Sequence, residues 1–228
     1  MSFVIEPSPQ VTIPVSGSEL DFPVNNIYCV GRNYAEHTIE MGGDPNREAP
    51  FFFMKPAYAI STNGVDMAYP DHSSDVHHEV ELVVALASGG VNVTVAEAMA
   101  LVFGYGVGVD MTRRDLQAEA KEKRRPWEAG KTFFQAAPCS DLASIAKTGE
   151  LNNGAISLSI NGESRQQGDV NQMIWKVAEV ISRLSELFFL QPGDLIYTGT
   201  PAGVGPIEKG DDIIAKVEGL PELSFQVS

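Results

Sequence analysis

The chain has 228 residues, 43% hydrophobic and 20% charged, with a formal net charge of -14. That length can bury a sizeable core, and the composition is that of an ordinary globular protein. The acidity argues against nucleic acid or an anionic membrane as partner, and any site for an anion must supply its own positive field locally.

No apolar run approaches the roughly 20 residues of a membrane-spanning helix. The opening MSFVIEPSPQ has no basic region followed by an apolar stretch, so no signal peptide is expected and a cytoplasmic location follows. Cys29 and Cys139 lack CxxC partners, so reduced, buried thiols are expected.

Residues 1–25, rich in Pro, Val and Ser, read as an N-terminal arm or small hairpin, and 26–228 as a single domain. Ile27 to Val30 is a short strand ending at Gly31. Arg32 to Met41 gives one or two helical turns, stopped by Gly42-Gly43. Phe51 to Met54 is a buried strand ending at Lys55-Pro56, and 78–87 reads as one continuous strand. Val95 to Val102 is a helix. Tyr105 to Val109 is a Gly-interrupted strand with Asp110 at its end. Thr112 and Asp115 have capping-box spacing, opening a helix that stops before Pro126. Residues 156–160 and 163–166 form a hairpin on Asn161-Gly162.

Ile174, Val177, Ile181, Leu184 and Phe188 share one face of a helix over 172–189. Leu195 to Tyr197 is a strand leading into the Gly-rich loop Thr198 to Gly205, and Asp212 to Val227 holds two more strands. Many strands without regular βαβ alternation predict a mixed α+β fold dominated by sheet.

The most informative segment is His78-Glu79-Val80-Glu81-Leu82. On a strand, Glu79 and Glu81 point the same way, roughly 6–7 Å apart, with Val80, Leu82 and Val84 toward the core. Two carboxylates at the start of an apolar strand form either a solvent-facing edge or a site for a hard cation, Mg2+ or Mn2+. Asp110 is a further ligand or an ordinary loop residue.

Arg114 and Gln117 share a helical face that could fork a substrate carboxylate. Lys121, Lys123, Arg124 and Arg125 read as a solvated basic face. His37 and Glu40 can touch at helical spacing, and a carboxylate on one imidazole nitrogen makes the other a better base; a surface pair is the plainer alternative. Lys131, beside Phe133 and Phe134, is a buried functional lysine or a strand-end lysine. The Gly-rich loop could cradle an anion, but it lacks the lysine and following helix of a nucleotide site.

Together and in order, Tyr28 to His37, Lys55-Pro56, His78 to Leu82, Gly108 to Asp115, Gly130-Lys131 and Asp194 to Gly205 resemble the fumarylacetoacetate hydrolase family over about residues 26–226. The resemblance is to its short form, without the long N-terminal domain of the eukaryotic hydrolase. It implies a mixed β-sheet roll with a few peripheral helices, a homodimer, and one Mg2+ or Mn2+ per subunit held by Glu79, Glu81 and Asp110. It implies His37 and Glu40 as a catalytic dyad, Lys131 as the catalytic cation that stabilises developing negative charge, and Arg114, Gln117 and Thr200 as substrate contacts.

The implied reaction is hydrolysis of a C–C bond in a small anionic 2,4-dioxo acid. Within the family, Arg47 to Pro56 and the VTIPVSGSEL stretch look most like bacterial members of gentisate breakdown that split fumarylpyruvate into fumarate and pyruvate. The alternatives are oxaloacetate decarboxylation, isomerisation or decarboxylation of hydroxylated dienedioates, and a non-catalytic protein that binds metal and oxalate.

Overall fold

The structure, a computed structural model, describes residues 3–42 and 49–228. Gly43, and Arg47-Glu48 of the segment used above to choose a subfamily, lie outside the described residues.

The core is an eight-stranded mixed sheet. Its order is Phe51–Lys55, Ile27–Gly31, Leu195–Tyr197, Val80–Leu86, Val102–Val109, Ala137–Cys139 and Ile60–Thr62, with Ala143–Ser144 also paired to Val102–Val109. Two neighbours are parallel, Leu195–Tyr197 with Ile27–Gly31 and Ala137–Cys139 with Ile60–Thr62; the other pairs are antiparallel. A four-stranded antiparallel sheet is built from Glu163–Asp169, Ala155–Ile160, Asp212–Val217 and Leu223–Gln226. A three-stranded sheet joins Gly205–Pro206, Val76–His78 and Thr112–Arg113. Near the N-terminus, Thr12–Pro14 pairs antiparallel with Asp21–Pro23.

Val80–Leu86 is the spine. All seven residues are buried, as the apolar run Leu82 to Leu86 requires, because a strand covered on both faces has no solvent side to leave polar. The alternation expected from Glu79 and Glu81 therefore does not describe it: Val83 and Ala85 are as buried as Leu82 and Val84.

Four further expectations change. The continuous strand over 78–87 is broken at Glu79, where the chain leaves the three-stranded sheet for the eight-stranded one. Thr112 does not cap a helix. It lies in the strand Thr112–Arg113, the helix is Arg114–Glu122, and Asp115 instead accepts from Ser73 Oγ at 2.7 Å and the Ser74 N–H at 3.1 Å. The helix over 172–189 is shorter, Val177–Leu187. Tertiary bonds hold its predicted first turn out, the Ile174 N–H donating to the Asn33 carbonyl and the Trp175 N–H to the Asn33 side chain, both at 2.8 Å. The helix predicted from Val95 is α-helical only over Val95–Ala98, followed by a tighter turn over Met99–Leu101.

Among the described residues no helix is long and apolar enough to cross a membrane. The thiols of Cys29 and Cys139 are free and buried.

Candidate active site

Three carboxylates meet where the chain passes between sheets. Glu79 sits in the one-residue break before Val80–Leu86, Glu81 is the second residue of that strand, and Asp110 follows Val102–Val109. Strand register brings them together. Val80 pairs with Val109 and Glu81 with Gly108, and the Asp110 N–H donates to the Glu79 carbonyl at 2.8 Å. One oxygen from each carboxylate lies within 4.8 Å of the others, and all three residues are buried.

Such a cluster is costly unless cations offset it. Lys131 Nζ donates to Glu79 at 2.8 Å, to Asp110 at 2.7 Å and to Thr112 Oγ1 at 2.6 Å. Lys55 Nζ lies 2.8 Å from the other Asp110 oxygen and also donates to the carbonyls of Met111 and Lys131. Arg114 donates to Glu79 Oε1 at 2.6 Å and to Gln117 Oε1 at 2.7 Å.

The two glutamates are electrostatically unlike. Burial pushes the Glu79 carboxyl up, but Lys131 and Arg114 outweigh it and hold it well below the usual carboxylate range. Burial, then the charges of Asp110 and Glu79, push Glu81 well above that range, against one N–H from Gly199 at 2.7 Å. Burial also disfavours the Lys131 ammonium, yet Asp110 and Glu79 raise its pKa above the ordinary lysine value, so it stays charged. Among the described residues Glu81 has no cation of its own. An all-oxygen donor set with one under-compensated carboxylate fits a hard divalent ion, Mg2+ or Mn2+, on Glu79, Glu81 and Asp110.

His37 and Glu40 lie on the short helix Ala35–Glu40. His37 Nδ1 is 3.2 Å from Glu40 Oε2, and the Gly203 N–H donates to the same carboxylate at 3.1 Å. An Nδ1 proton directed at Glu40 would leave the ring its Nε2 lone pair for other work. His37 lines one cavity with Glu79, Glu81, Asp110, Arg114, Gln117, Lys131 and Thr200; Glu40 stands behind His37 and does not line it.

The Gly-rich loop is packed rather than loose. Thr198 and Thr200 are buried, and Asn33 Nδ2 donates to the Thr198 carbonyl at 2.8 Å and the Trp175 carbonyl at 3.0 Å. Gly199 has φ 99°, and a Cβ there would stand 2.7 Å from that of Asn33, so the approach that places its N–H on Glu81 admits only glycine.

Gln166 fixes Thr200. Its Oε1 accepts from the Val80 N–H at 3.0 Å and lies 2.9 Å from His78 Nδ1, while its Nε2 donates to Thr200 Oγ1 at 2.8 Å and the Pro201 carbonyl at 2.9 Å. Because Gln166 uses an acceptor position of the Thr200 hydroxyl, that hydroxyl is left to donate into the cavity.

Sequence reasoning assigned no role to Lys55, Asn33, Gln166 or Arg32, and it placed Lys121 on a solvated face. Lys121, exposed as that reading expects, and Arg32 both line the cavity. A readable signal existed for two of them. Lys55 is a charge closing an aromatic run, and Gln166 stands opposite Leu158, an inward position of its hairpin.

A family model described as Fumarylacetoacetate (FAA) hydrolase C-terminal matches residues 26–228. A fumarylpyruvate hydrolase of Ralstonia sp is 44% identical over 184 residues, covering 81% of this chain and 95% of its own length. An oxaloacetate tautomerase of Escherichia coli K12 is 41% identical over 204 residues, covering 89% and 93%. Among solved structures, fumarylpyruvate hydrolase from Pseudomonas aeruginosa in complex with Mn2+ and pyruvate superposes with a TM-score of 0.97 at 46% identity, over 99% of both chains.

Proposed function

The chain belongs to the fumarylacetoacetate hydrolase family, and from that premise we propose that it is a divalent-metal-dependent hydrolase splitting fumarylpyruvate into fumarate and pyruvate. The reading includes Mg2+ or Mn2+ as the metal, a homodimeric assembly, a cytoplasmic location and a role in aromatic-acid breakdown. The observation that carries it is the juxtaposition, in one cavity, of three buried carboxylates with a histidine whose Nδ1 is committed to Glu40.

A divalent ion on Glu79, Glu81 and Asp110 would supply Lewis acidity toward the carboxylate and 2-oxo oxygens of the substrate. The remaining work falls to side chains of this chain. Arg114, Gln117 and the Thr200 hydroxyl orient the substrate carboxylate. His37 takes a proton from water through Nε2 while Glu40 holds the ring, and the hydroxide oxygen bonds to C4. Lys131 faces the negative charge that develops there. The C3–C4 bond then breaks, its electron pair staying on the pyruvate fragment. The proton held by His37 returns to C3, giving one pyruvate and one fumarate per water consumed.

Tautomerisation of oxaloacetate is a second reading, favoured by the 41% identical tautomerase. It moves a proton between C3 and the 2-oxo oxygen with no C–C cleavage. Decarboxylation of oxaloacetate, the alternative drawn from sequence, is a different reaction from the one that relative is named for.

The test follows the ultraviolet absorbance of enolic fumarylpyruvate with Mg2+, with Mn2+ and with EDTA, beside acetylpyruvate and oxaloacetate. Rapid EDTA-sensitive loss with equimolar fumarate and pyruvate supports the hydrolase. Intact fumarylpyruvate with fast oxaloacetate tautomerisation replaces it with the second reading.

A further inference from the structure

The cavity lining divides by chemistry. Carboxylates and Lys131 occupy one part, and Phe51, Phe53 and Trp127 supply an aromatic wall. Arg32 and Lys121 also line it, and among the described residues neither has a carboxylate partner. Both residues are exposed, and they give this end of the cavity two positive charges in a chain of net charge -14.

The backbone sets where each side chain starts. Arg32 has φ 58°, a left-handed conformation that side-chain-bearing residues rarely adopt. Arg114, Gln117 and Lys121 fall at i, i+3 and i+7 of the helix Arg114–Glu122, one stripe of a helix surface. At ~1.5 Å rise per residue Lys121 stands about 10 Å beyond Arg114 along the axis. Partial burial, then the charges of Arg32 and Arg114, lowers the pKa of the Lys121 ammonium, a repulsion that a bound anion would relieve.

We propose that Arg32 and Lys121 form a subsite for the far carboxylate of a long dicarboxylic oxo acid, making the cavity selective for dianions over monoanions of equal length. With bonds of ~1.5 Å, the end carboxyl carbons of a seven-carbon chain lie about 7 Å apart and those of a four-carbon chain about 4 Å. Anchored beside Glu79, the seven-carbon chain therefore carries its far carboxylate about 3 Å farther than the four-carbon chain does, toward the end of the cavity that Arg32 and Lys121 would occupy. The subsite rests on the acylpyruvate reading for its physiological substrate but not for its test.

That test is a binding titration by calorimetry on the Mn2+-loaded protein with 2-oxoheptanedioate and 2-oxoheptanoate, which differ only in the far carboxylate. The dicarboxylate binds roughly tenfold tighter, as expected for one charge-assisted contact. Lys121→Gln and Arg32→Gln each shrink that ratio, the double variant brings it near one, and added salt shrinks it in the parent but not in the double variant. Equal affinity for the two acids in the parent, or a preference that survives the double variant, overturns the subsite. Failure to hydrolyse fumarylpyruvate with the preference intact would overturn the proposed reaction and leave the subsite standing.

Discussion

The carboxylate cluster and the His37–Glu40 pair face one cavity, but they are built differently. Glu79, Glu81 and Asp110 are fixed by the pairing of two long strands, are 6%, 2% and 1% exposed, and are closed in by Lys131, Lys55 and Arg114. His37 and Glu40 ride on a six-residue helix with no side-chain cap, and the Glu40 side chain is 34% exposed. The groups suited to hold charge are set in the sheet, whereas the pair suited to move a proton sits on a small peripheral element. The first region stakes stability on its ions; the second stakes little.

Removing an ion from the first region should give the largest effect. Lys131→Ala leaves Glu79 and Asp110 buried with less compensation and should cost about 3–5 kcal/mol. It should appear as a lower Tm, partly restored by Mn2+, and an unchanged Tm would deny the lysine its bridging role. His37→Ala should instead leave Tm and Mn2+ affinity near the parent values while fumarylpyruvate hydrolysis falls about 100- to 10,000-fold. If the rate survives, His37 is not the base.

Gln166→Leu removes four hydrogen bonds and should cost about 1–3 kcal/mol. It should also raise KM more than it lowers kcat, because Thr200 loses its orientation; a stability loss with unchanged KM would limit Gln166 to packing.

The pH effect on metal binding is smaller and its sign follows from Glu81. Its raised pKa means that it keeps a proton in the metal-free protein below that value, and the metal needs the carboxylate. Binding therefore releases a proton, and affinity should fall by up to about tenfold per pH unit on acidification below the Glu81 pKa, with no dependence above it. Glu79, held low, stays ionised through this range and contributes no proton. Calorimetry in buffers of different ionisation enthalpy counts the proton, and a count of zero would reject the assignment.

Much of the architecture was legible because it is local. The hairpin on Asn161-Gly162, the strand Leu195–Tyr197 and the helix after Asp110 announce themselves within a few residues. What was missed is non-local. Asn33 bonds the Thr198 carbonyl 165 residues away, and its side chain together with its carbonyl keeps 174–175 out of the helix their periodicity suggests. Gln166 reaches Val80 and Thr200 from another sheet. Lys121 carries the same sequence signal as Lys123 and Arg124 and is exposed as they are, and only its place at the cavity separates it from them.

The compensation around the carboxylates also sets the order in which charge can enter. With Glu81 ionised, three carboxylates face Lys55, Lys131 and Arg114, three charges against three. A divalent ion alone would tip this balance by two, and a dianionic acid alone by two the other way. The excess charge of each offsets that of the other at the cluster, so each ligand should raise the affinity for the other by the same factor.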